Sequence, residues 1–372
     1  MKTYYAIESF YGGSHKQWLD QLKEQFSHHF DTHLELFTLP ARNWKWRHHG
    51  AAISLAENIK KHFLETKDLP ECILVTDIID LALLKSLLPN ELHKVPIFLY
   101  FHENQFAYPQ SDNDSFQKDQ QYAFMNYTSA LIADKCFFNS HYNKDSFLFG
   151  AQKLLKRMPD HQNLSNLKII KEKSQVLPIG LSLNQSKLHL DKFKNISEEV
   201  RILWNHRWEH DKNPEDFFKF LYRLIENKTP IKVCLAGQRT SRVPECFYQF
   251  IKKFPDKVKS SEILSRSEYE KALDWAHFSP NTSTQDFFGI SLMESMSRGV
   301  IPLLPSRLAF PEHFQGTELA ELLFFNDEKL IDEVFNHIQL EDLSKVSMEC
   351  SNIANRYEWN NLRPLYKKTL FP

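Results

Sequence analysis

Residues 284–305 read TQDFFGISLMESMSRGVIPLLP, and this stretch decides the fold of the second half of the chain. Apolar residues recur at helical spacing after Gly289, and Gly299 predicts where that helix ends. Residues 300–304 then predict a buried strand. With an apolar strand expected at 276–281 just before it, the stretch predicts a strand–loop–helix–strand unit of an α/β domain.

The start of this helix predicts an anion site, because its first backbone N–H groups have no partner within the helix and the helix dipole favours negative charge. Gly289, between Phe288 and Ile290, has no side chain to keep a phosphate away. Glu294 follows one and a half turns later, where its carboxylate can accept hydrogen bonds from a ribose diol. An amphipathic helix with one exposed acid explains the same pattern equally well.

Length and composition indicate a two-domain globular protein. The chain has 372 residues, of which 42% are hydrophobic and 25% charged. We expect a first domain at 1–185, a second at 198–356 and a C-terminal helix at 357–372 that packs on the first. The net charge is −1, so a polyanionic partner would need a local basic patch.

The cellular compartment and the metal content are predicted from what the sequence lacks. It has no apolar run of 18 residues and no signal-peptide pattern, which predicts a cytoplasmic protein without a membrane partner. The five cysteines are scattered and have no metal-ligand spacing, so we expect reduced thiols and no metal site.

The N-terminal segment predicts a second phosphate-type turn. A strand at 4–9 is followed by Gly12 and Gly13, and then by a helix at 16–28. The segment lacks the full G-x-G-x-x-G spacing, so this signal is weak.

Residues 39–50, LPARNWKWRHHG, combine cations with aromatic rings in a predicted loop before a helix at 51–64. Such a segment can contact phosphates and stack on bases. The alternative is a surface loop held in place by its tryptophans. The candidate nucleic-acid contacts are Arg42, Trp44, Lys45, Trp46 and Arg47.

Polar side chains follow the predicted strand at 96–100. His102, Glu103 and Asn104 would lie at the carboxyl edge of a parallel sheet, where doubly wound folds bind ligands. His102 is therefore a candidate hydrogen-bond donor or general base. A lone histidine more often has a structural role.

Two cations follow the predicted strand at 201–205. Arg207 and Lys212 could hold a diphosphate together, although exposed cations are often simply solvated. Gly237 follows the next strand, at 231–236, and is predicted to contribute to the same site.

These pieces resemble the GT-B fold of nucleotide-sugar glycosyltransferases, and the second half resembles their retaining family 4. The resemblance implies an α/β fold of two Rossmann-like domains that face a central cleft. The E-x7-E signature of that family corresponds to Asp286 through Glu294, so its first acid is one methylene shorter here. Arg207 and Lys212 correspond to the family's diphosphate-binding pair.

Longer blocks narrow the resemblance to the tRNA-queuosine α-mannosyltransferases, the glycosyltransferase-like domain-containing protein 1 family. The blocks are ESFYGGSHKQW (8–18), LPARNWKWRHHGAA (39–52), YFHENQFAYP (100–109), FNSHYNKDSF (138–147), WNHRWEHDKNPE (204–215) and DFFGISLMESMSRGVIPLLPSRLAFPE (286–312).

This resemblance implies transfer of mannose from GDP-mannose to the cyclopentene-diol of queuosine at the wobble position of tRNA(Asp), with retention. Two cations and a helix start can take the charge of the diphosphate, so we expect neither a metal nor another cofactor. The implied catalytic residues are His102, Arg207, Lys212 and Asp286. The implied donor-binding residues are Gly12, Gly13, Gly237, Phe288, Gly289, Ile290 and Glu294. The first domain would bind the tRNA anticodon arm, through the cations and tryptophans at 42–47 with Glu103 and Asn104, and no obligate protein partner is evident.

Two other functions are compatible with the sequence. One is a family 4 mannosyl- or glucosyltransferase that acts on a cell-envelope glycan or lipid, although the basic aromatic segment at 39–50 favours a polyanion. The other is a non-catalytic RNA- or sugar-binding protein on the same fold. Transfer or hydrolysis of GDP-mannose by the purified protein separates the enzymes from the binding protein.

Overall fold

The computed structural model describes residues 2–29, 32–107, 120–183, 188–240, 242–327 and 329–370. The chain divides into two compact units, Met1–Leu181 together with Leu362–Pro372, and Ser182–Asn361. The polar segment at 110–118, which the sequence predicts to be a mobile loop, lies outside the described residues.

The first unit is built on a six-stranded sheet in the order β2-β1-β3-β4-β5-β6, with parallel pairing throughout. Its strands are β1 Lys2–Tyr11, β2 Thr32–Pro40, β3 Ile73–Thr76, β4 Ile97–Phe101, β5 Lys135–Phe138 and β6 Ser174–Val176. Its helices are α1 Gly13–His29, α2 Trp44–Thr66, α3 Leu81–Leu87, α4 Gln120–Ile132, α5 His141–Leu155 and α6 Asn166–Glu172. The central strands β3 and β4 are buried along their whole length, as expected for a parallel sheet covered on both faces.

The second unit repeats this architecture with a sheet in the order β12-β11-β10-β7-β8-β9. Its strands are β7 Val200–Trp204, β8 Ile231–Leu235, β9 Val258–Ser260, β10 Phe278–Pro280, β11 Ile301–Pro305 and β12 Phe324–Phe325. Its helices are α7 Pro214–Glu226, α8 Glu245–Lys253, α9 Arg266–Trp275, α10 Ile290–Ser297, α11 Phe310–His313, α12 Leu319–Leu322, α13 Ile331–Ile338 and α14 Leu343–Asn355. These two parallel sheets confirm the predicted α/β fold of two Rossmann-like domains.

The last helix, α15 (Trp359–Leu370), ends in the first unit. The phenol of Tyr366 on this helix accepts a hydrogen bond of 3.1 Å from the indole of Trp18. The same phenol donates one of 2.8 Å to the carbonyl of Pro178. Buried aromatic side chains with satisfied polar atoms therefore join the C-terminal segment to α1 and to the segment after β6.

Two element predictions are wrong. The predicted basic loop is helical from residue 44 onward, because α2 begins at Trp44 rather than at Ala51. Asn43 precedes it in the left-handed conformation with φ 51°, which asparagine tolerates better than most residues. The segment VLPIG at 176–180 predicts a strand that ends in a turn, but β6 spans 174–176, so residues 177–180 follow the strand.

Strand order places one topological switch point in each sheet. The order turns around between β1 and β3 in the first sheet, and between β7 and β10 in the second. In open parallel sheets, ligands bind beyond the carboxyl ends of the strands at such a point. The residues that follow these four strands are therefore the candidate site residues.

Candidate functional site

Lys212 lies at the switch point of the second unit, in the loop after β7. Its ammonium donates a hydrogen bond of 2.7 Å to the carbonyl of Gln285, and it forms ion pairs with Asp211 at 3.3 Å and Asp286 at 3.6 Å. Its side chain is 11% exposed. The structure therefore brings the predicted Lys212 and Asp286 together, and the lysine also joins the loops that follow β7 and β10.

Arg207, the other predicted cation, is placed differently. Its side chain is 50% exposed, and its guanidinium lies 3.1 Å from the carboxylate of Glu209. The burial of Glu209 raises the pKa of its carboxyl, whereas the charge of Arg207 lowers it. Arg207 is thus a surface cation, whereas Lys212 is a buried one.

The start of α10 has the geometry that the sequence predicts. Gly289 caps the helix with φ 89°, a conformation that favours glycine. The carboxylate of Asp286 accepts a hydrogen bond of 3.1 Å from the backbone N–H of Phe288. The carbonyl of Phe288 lies 2.7 Å from Nε2 of His313, whose Nδ1 lies 2.7 Å from the hydroxyl of Tyr357.

His313 is neutral, because burial lowers its pKa to about 4. A neutral imidazole has one N–H, so Nε2 donates to the Phe288 carbonyl while Nδ1 accepts from the Tyr357 hydroxyl. These bonds fix the backbone just before the helix.

Glu294 is held in place by two side chains of α9. Arg266 donates to its carboxylate at 2.8 Å, and the hydroxyl of Tyr269 donates at 3.1 Å. The predicted ribose-binding carboxylate is thus already oriented. The sequence does not indicate Arg266 and Tyr269, because they lie more than 20 residues from Glu294 and no spacing connects the two helices.

Several buried polar atoms in the loops just after β7 and β10 have no hydrogen-bond partner among the described residues. Among the described residues, such atoms include Nε2 of His206, Nδ2 of Asn281, Oγ of Ser283 and Nε2 of Gln285. Buried polar groups are normally paired, so a cluster of unpaired ones at a switch point indicates a ligand site.

His206 is neutral in this cluster. Its burial, and then the charge of Lys212, lower its pKa to about 4. Its Nδ1 lies 3.1 Å from the hydroxyl of Ser291 at the start of α10. Gly237 is also required here, because a Cβ at this position would lie 2.0 Å from the carbonyl oxygen of His206.

The first unit contains a buried acid–imidazole cluster at its own switch point. Glu8 lies in β1, and its Oε2 is 3.0 Å from Nδ1 of His15. The ring of His15 lies 4.2 Å, centroid to centroid, from the ring of His102. Burial alone would lower the pKa of His15, but Glu8, Asp77 and Glu103 together raise it to about 9. His15 is therefore an imidazolium at neutral pH.

Asp77 follows β3 and completes this cluster. Its Oδ1 accepts a hydrogen bond of 2.9 Å from the backbone N–H of His102. Burial, and then the charge of Glu103, raise the pKa of Asp77 well above its usual range. Burial, and then the charge of His15, lower the pKa of His102 well below its usual range. In the described part of the chain, neither Oδ2 of Asp77 nor Nε2 of His102 has a hydrogen-bond partner.

The sequence predicted only His102 of these four residues. The other three residues have comparable positions in the sequence. Glu8 lies in a buried strand and Asp77 directly after one, whereas His15 follows the glycine pair. The ligand atoms of Glu8, His15 and His102 lie within 4.8 Å of one another, a spacing that would also suit a metal ion. The hydrogen bond between Glu8 and His15 already uses two of those atoms.

The glycine pair of the N-terminal turn has two different roles. A Cβ on Gly12 would lie 2.5 Å from Cβ of Ala41, so glycine is needed there for packing. Gly13 has φ 53° at the start of α1, with nothing within 4 Å of an added Cβ among the described atoms. Gly13 therefore meets a backbone requirement and leaves space at the helix start.

Asn104 is buried, and its amide is used within the first unit. It donates a hydrogen bond of 2.9 Å to the amide oxygen of Asn143 and accepts one of 3.1 Å from the backbone N–H of Phe106. Direct contact of Asn104 with RNA would break these bonds. Glu103 is half-buried and accepts a hydrogen bond of 3.1 Å from Gln105.

The two tryptophans of the basic aromatic segment differ in exposure. Trp46 is 62% exposed, and its indole lies over Gly50, where an added Cβ would come within 2.6 Å of the ring. Trp44 packs inward, 5.3 Å from the ring of Tyr122. Arg47 donates to the carbonyl of Pro40 at 3.1 Å. Trp46 is therefore the tryptophan with a surface available for stacking.

The remaining candidate cations belong to the same segment. Arg42 is exposed just before α2, and the ammonium of Lys45 lies 5.5 Å from the centre of the Trp44 ring.

Comparison with solved structures identifies the fold. Sucrose-phosphate synthase from Thermosynechococcus elongatus aligns with a TM-score of 0.70 over 100% of this chain and 99% of that one, at 12% identity. The Anabaena protein Alr3699/HepE, solved in complex with UDP, aligns with a TM-score of 0.68 over 100% and 99%, at 14% identity. The fold is that of the GT-B glycosyltransferases, as the sequence predicts.

Sequence comparison then identifies the family. Residues 3–181 match the model of the tRNA-queuosine α-mannosyltransferase N-terminal domain. A Drosophila melanogaster protein described as tRNA-queuosine alpha-mannosyltransferase is 32% identical over 341 residues, covering 90% of this chain and 86% of that protein. The chain belongs to the tRNA-queuosine α-mannosyltransferase family. Of the helices in the described ranges, none has the length and apolar character needed to cross a membrane.

Proposed function

We propose that this protein transfers mannose from GDP-mannose to the cyclopentene-diol of queuosine in tRNA(Asp), with retention at the anomeric carbon, in the cytoplasm. The observation that carries the proposal is the cluster of unpaired polar atoms around Lys212 at the switch point of the second unit, in a chain 32% identical to a tRNA-queuosine α-mannosyltransferase. A sugar nucleotide supplies both the negative charge and the hydroxyl groups that this cluster lacks.

The diphosphate of the donor would bind at the loops after β7 and β10. Lys212 supplies a fixed charge in a poorly hydrated site, where charge interactions are stronger than in water. Arg207, at the surface, supplies a second charge that can turn toward the phosphates. Together with the N–H groups at the start of α10, they would stabilise the charge that develops on the leaving GDP.

The ribose and the sugar would be oriented by carboxylates and imidazoles. Glu294, fixed by Arg266 and Tyr269, would accept hydrogen bonds from the ribose diol. Asp286 would contact hydroxyls of the mannose, and His102 of the first unit would bind a hydroxyl of a substrate. Attack by the acceptor on the face that GDP leaves gives retention, with the departing phosphate taking the proton of the acceptor hydroxyl. This scheme requires neither a metal nor another cofactor.

The anticodon arm of the tRNA would bind to the start of α2. The exposed indole of Trp46 offers a surface on which a base can stack. Arg42 and Lys45 of the same segment would contact phosphates, so tRNA affinity should fall as salt rises.

The decisive experiment is mass analysis of queuosine nucleoside from tRNA incubated with the protein and one nucleotide-sugar at a time. A gain of one hexose with GDP-mannose, and none with UDP-glucose or GDP-glucose, is the expected result. The control is tRNA(Asp) that carries guanosine instead of queuosine. Hexose transfer to a glycan or lipid, or none to any acceptor, would contradict the proposal.

A further inference from the structure

We propose that Asp77 and His102, with the Glu8–His15 ion pair beside them, form a hydroxyl-binding site in the first unit that takes a diol or a sugar ring rather than a phosphate. This inference rests on the proposed function, because it names which part of the substrates the first unit recognises. The site lies at the carboxyl edge between β1, β3 and β4.

The register of the sheet brings these residues to one place. Ile7 pairs with Val75 between β1 and β3, and Thr76 pairs with Tyr100 between β3 and β4. The residues that follow are Glu8 in β1, Asp77 after β3 and His102 just beyond β4. Chain segments distant in sequence therefore contribute one polar group each to the same edge.

Two atoms of the cluster lack a partner although they are enclosed. Asp77 is 1% exposed and His102 is 7% exposed. Within the described residues, Oδ2 of Asp77 and Nε2 of His102 make no hydrogen bond, and leaving buried polar atoms unpaired destabilises the fold. A ligand that pairs with both would offset this destabilisation.

The charge balance favours a hydroxyl over an anion. Three carboxyl groups, those of Glu8, Asp77 and Glu103, act on His15, the one imidazolium of the cluster. A phosphate brought here would meet more acidic than basic groups, whereas a hydroxyl both donates and accepts and carries no charge. The cluster therefore differs in ligand preference from the lysine-containing site of the second unit.

The Glu8–His15 pair positions the ring of His102. His15, held by Glu8 at 3.0 Å, lies against one side of that ring at a centroid distance of 4.2 Å. The rings of Trp18 and Tyr100 lie at 4.7 Å and 4.9 Å from it. Three aromatic neighbours and the hydrogen bond to Asp77 therefore fix where Nε2 of His102 points. Glu8 and His15 are positioning residues in this arrangement.

The first test uses Asp77→Asn, which keeps an oxygen for the His102 backbone N–H but replaces Oδ2 with an amide. We expect kcat/KM for mannose transfer to fall by about 10- to 100-fold. The matched control is Asp134→Asn. Asp134 also accepts a hydrogen bond from a backbone N–H at the end of a strand, that of Ile97 at 2.8 Å, but it lies before β5, at the amino edge of the sheet. An Asp77→Asn enzyme with wild-type kinetics would overturn the proposal.

Substrate analogues identify which hydroxyl is bound and separate recognition from folding. If the site binds a hydroxyl of the mannose, the donor analogue that lacks this hydroxyl should be transferred equally fast by the wild type and by Asp77→Asn. Asp77→Asn should then also lower the rate of GDP-mannose hydrolysis without tRNA by as much as it lowers the rate of transfer. If the site binds the diol of the acceptor, Asp77→Asn should leave the rate of GDP-mannose hydrolysis unchanged and raise KM for tRNA. A structural role of Asp77 would show itself differently. Asp77→Asn would then lower activity by the same factor with every deoxy donor and slow hydrolysis, while KM for tRNA stayed unchanged. This combination would contradict the proposal.

The positioning role has its own readout. His15→Gln should lower kcat more than it raises KM, because the ring of His102 is released while its hydrogen-bonding atom remains. The control His33→Gln removes a histidine that also pairs with a glutamate, Glu35, at 2.9 Å but is 41% exposed at the start of β2. Loss of activity on chelation that zinc restores would overturn the proposal in favour of a metal centre.

A binding measurement keeps this inference separable from the proposed function. The imidazole C–H resonances of His15 and His102 should move when wild-type protein is titrated with mannose or cis-1,2-cyclopentanediol, and not with inorganic phosphate. This result would support the site even if GDP-mannose proved not to be the donor. Shifts with phosphate alone would overturn it.

Discussion

The two switch points of this molecule have the same backbone arrangement but differ in the charge of their side chains. In the first unit, Glu8, Asp77 and His102 lie at the ends of parallel strands, and carboxyl groups outnumber cations. In the second, Lys212 and unpaired amide, hydroxyl and imidazole groups belong to the loops that follow β7 and β10. Strand order thus fixes where a ligand binds in each unit, whereas the side chains decide which ligand.

Burial acts on both sites in the same direction. It disfavours the charged form of each group, and so raises the pKa of Asp77 and lowers the pKa values of His102 and His206. The cations of the two sites each have counter-ions, Glu8 beside His15, and Asp211 and Asp286 beside Lys212. A buried charge therefore marks a position that the fold supports with a specific counter-ion.

The largest effect is expected from removing the buried cation of the second unit. Lys212→Gln keeps a donor for the Gln285 carbonyl but loses the charge, and kcat should fall by about 10²- to 10³-fold, the usual cost of one preorganised charge contact. Arg207→Ala should cost a similar factor. Steady-state kinetics with GDP-mannose and tRNA measure both effects.

Lys219→Gln is the control for this pair, because Lys219 is an exposed lysine of the same unit that pairs with Asp216 at 2.9 Å. Its kinetics should match the wild type. The comparison between the units fails if Lys212→Gln leaves GDP affinity unchanged while Asp77→Asn weakens it.

An intermediate effect is expected in the pH dependence of stability. Folding raises the pKa of His15 from 6.5 to about 9, so its stabilising contribution is full below pH 6.5 and is lost as the pH rises through 9. The loss should be about 3 kcal/mol in the free energy of unfolding. Glu8→Gln should remove most of this dependence, as measured by denaturant unfolding at each pH.

The other groups that face His15 are Asp77, Glu103 and His102, and they are present in both proteins. The difference between wild type and Glu8→Gln therefore isolates the ion pair. An identical pH dependence in the two proteins would show that Glu8 does not keep His15 charged. His33→Gln should behave as wild type.

The smallest effect is expected at the surface of α2. Trp46→Ala removes an exposed ring and should weaken tRNA binding by about fivefold, the lower end of what stacking on one base contributes. Phe149→Ala is the control, because Phe149 is 69% exposed in the same unit but lies on α5. Filter binding at several salt concentrations measures both, and equal affinities would contradict the assignment of Trp46.

Much of the second-unit site could be predicted from the sequence because its signals are local. Gly289, Asp286 and Glu294 lie within nine residues, and glycine at a helix start has a recognisable backbone reason. Arg266 and Tyr269 could not be predicted, since only the packing of α9 beside α10 brings them to Glu294. Helical spacing predicts contacts within one helix and gives no information about the neighbouring helix.

The start of α2 was predicted incorrectly for a related reason. Consecutive aromatic and basic residues indicate an exposed surface, and this property is shared by loops and by exposed first turns of helices. Asn43 in the left-handed conformation and the packing of Trp44 on Tyr122 place the helix boundary. The sequence pattern contains neither.

The sequence by itself determined the alternation of strands and helices, the parallel sheets and the positions of polar residues at strand ends, because hydrophobic periodicity and glycine conformation are properties of short segments. Only the tertiary structure decided that Glu8, His15, Asp77 and His102 form one cluster and that Lys212 is buried between two carboxylates. Contacts between distant segments depend on strand order and register, and burial then sets the charge of each group.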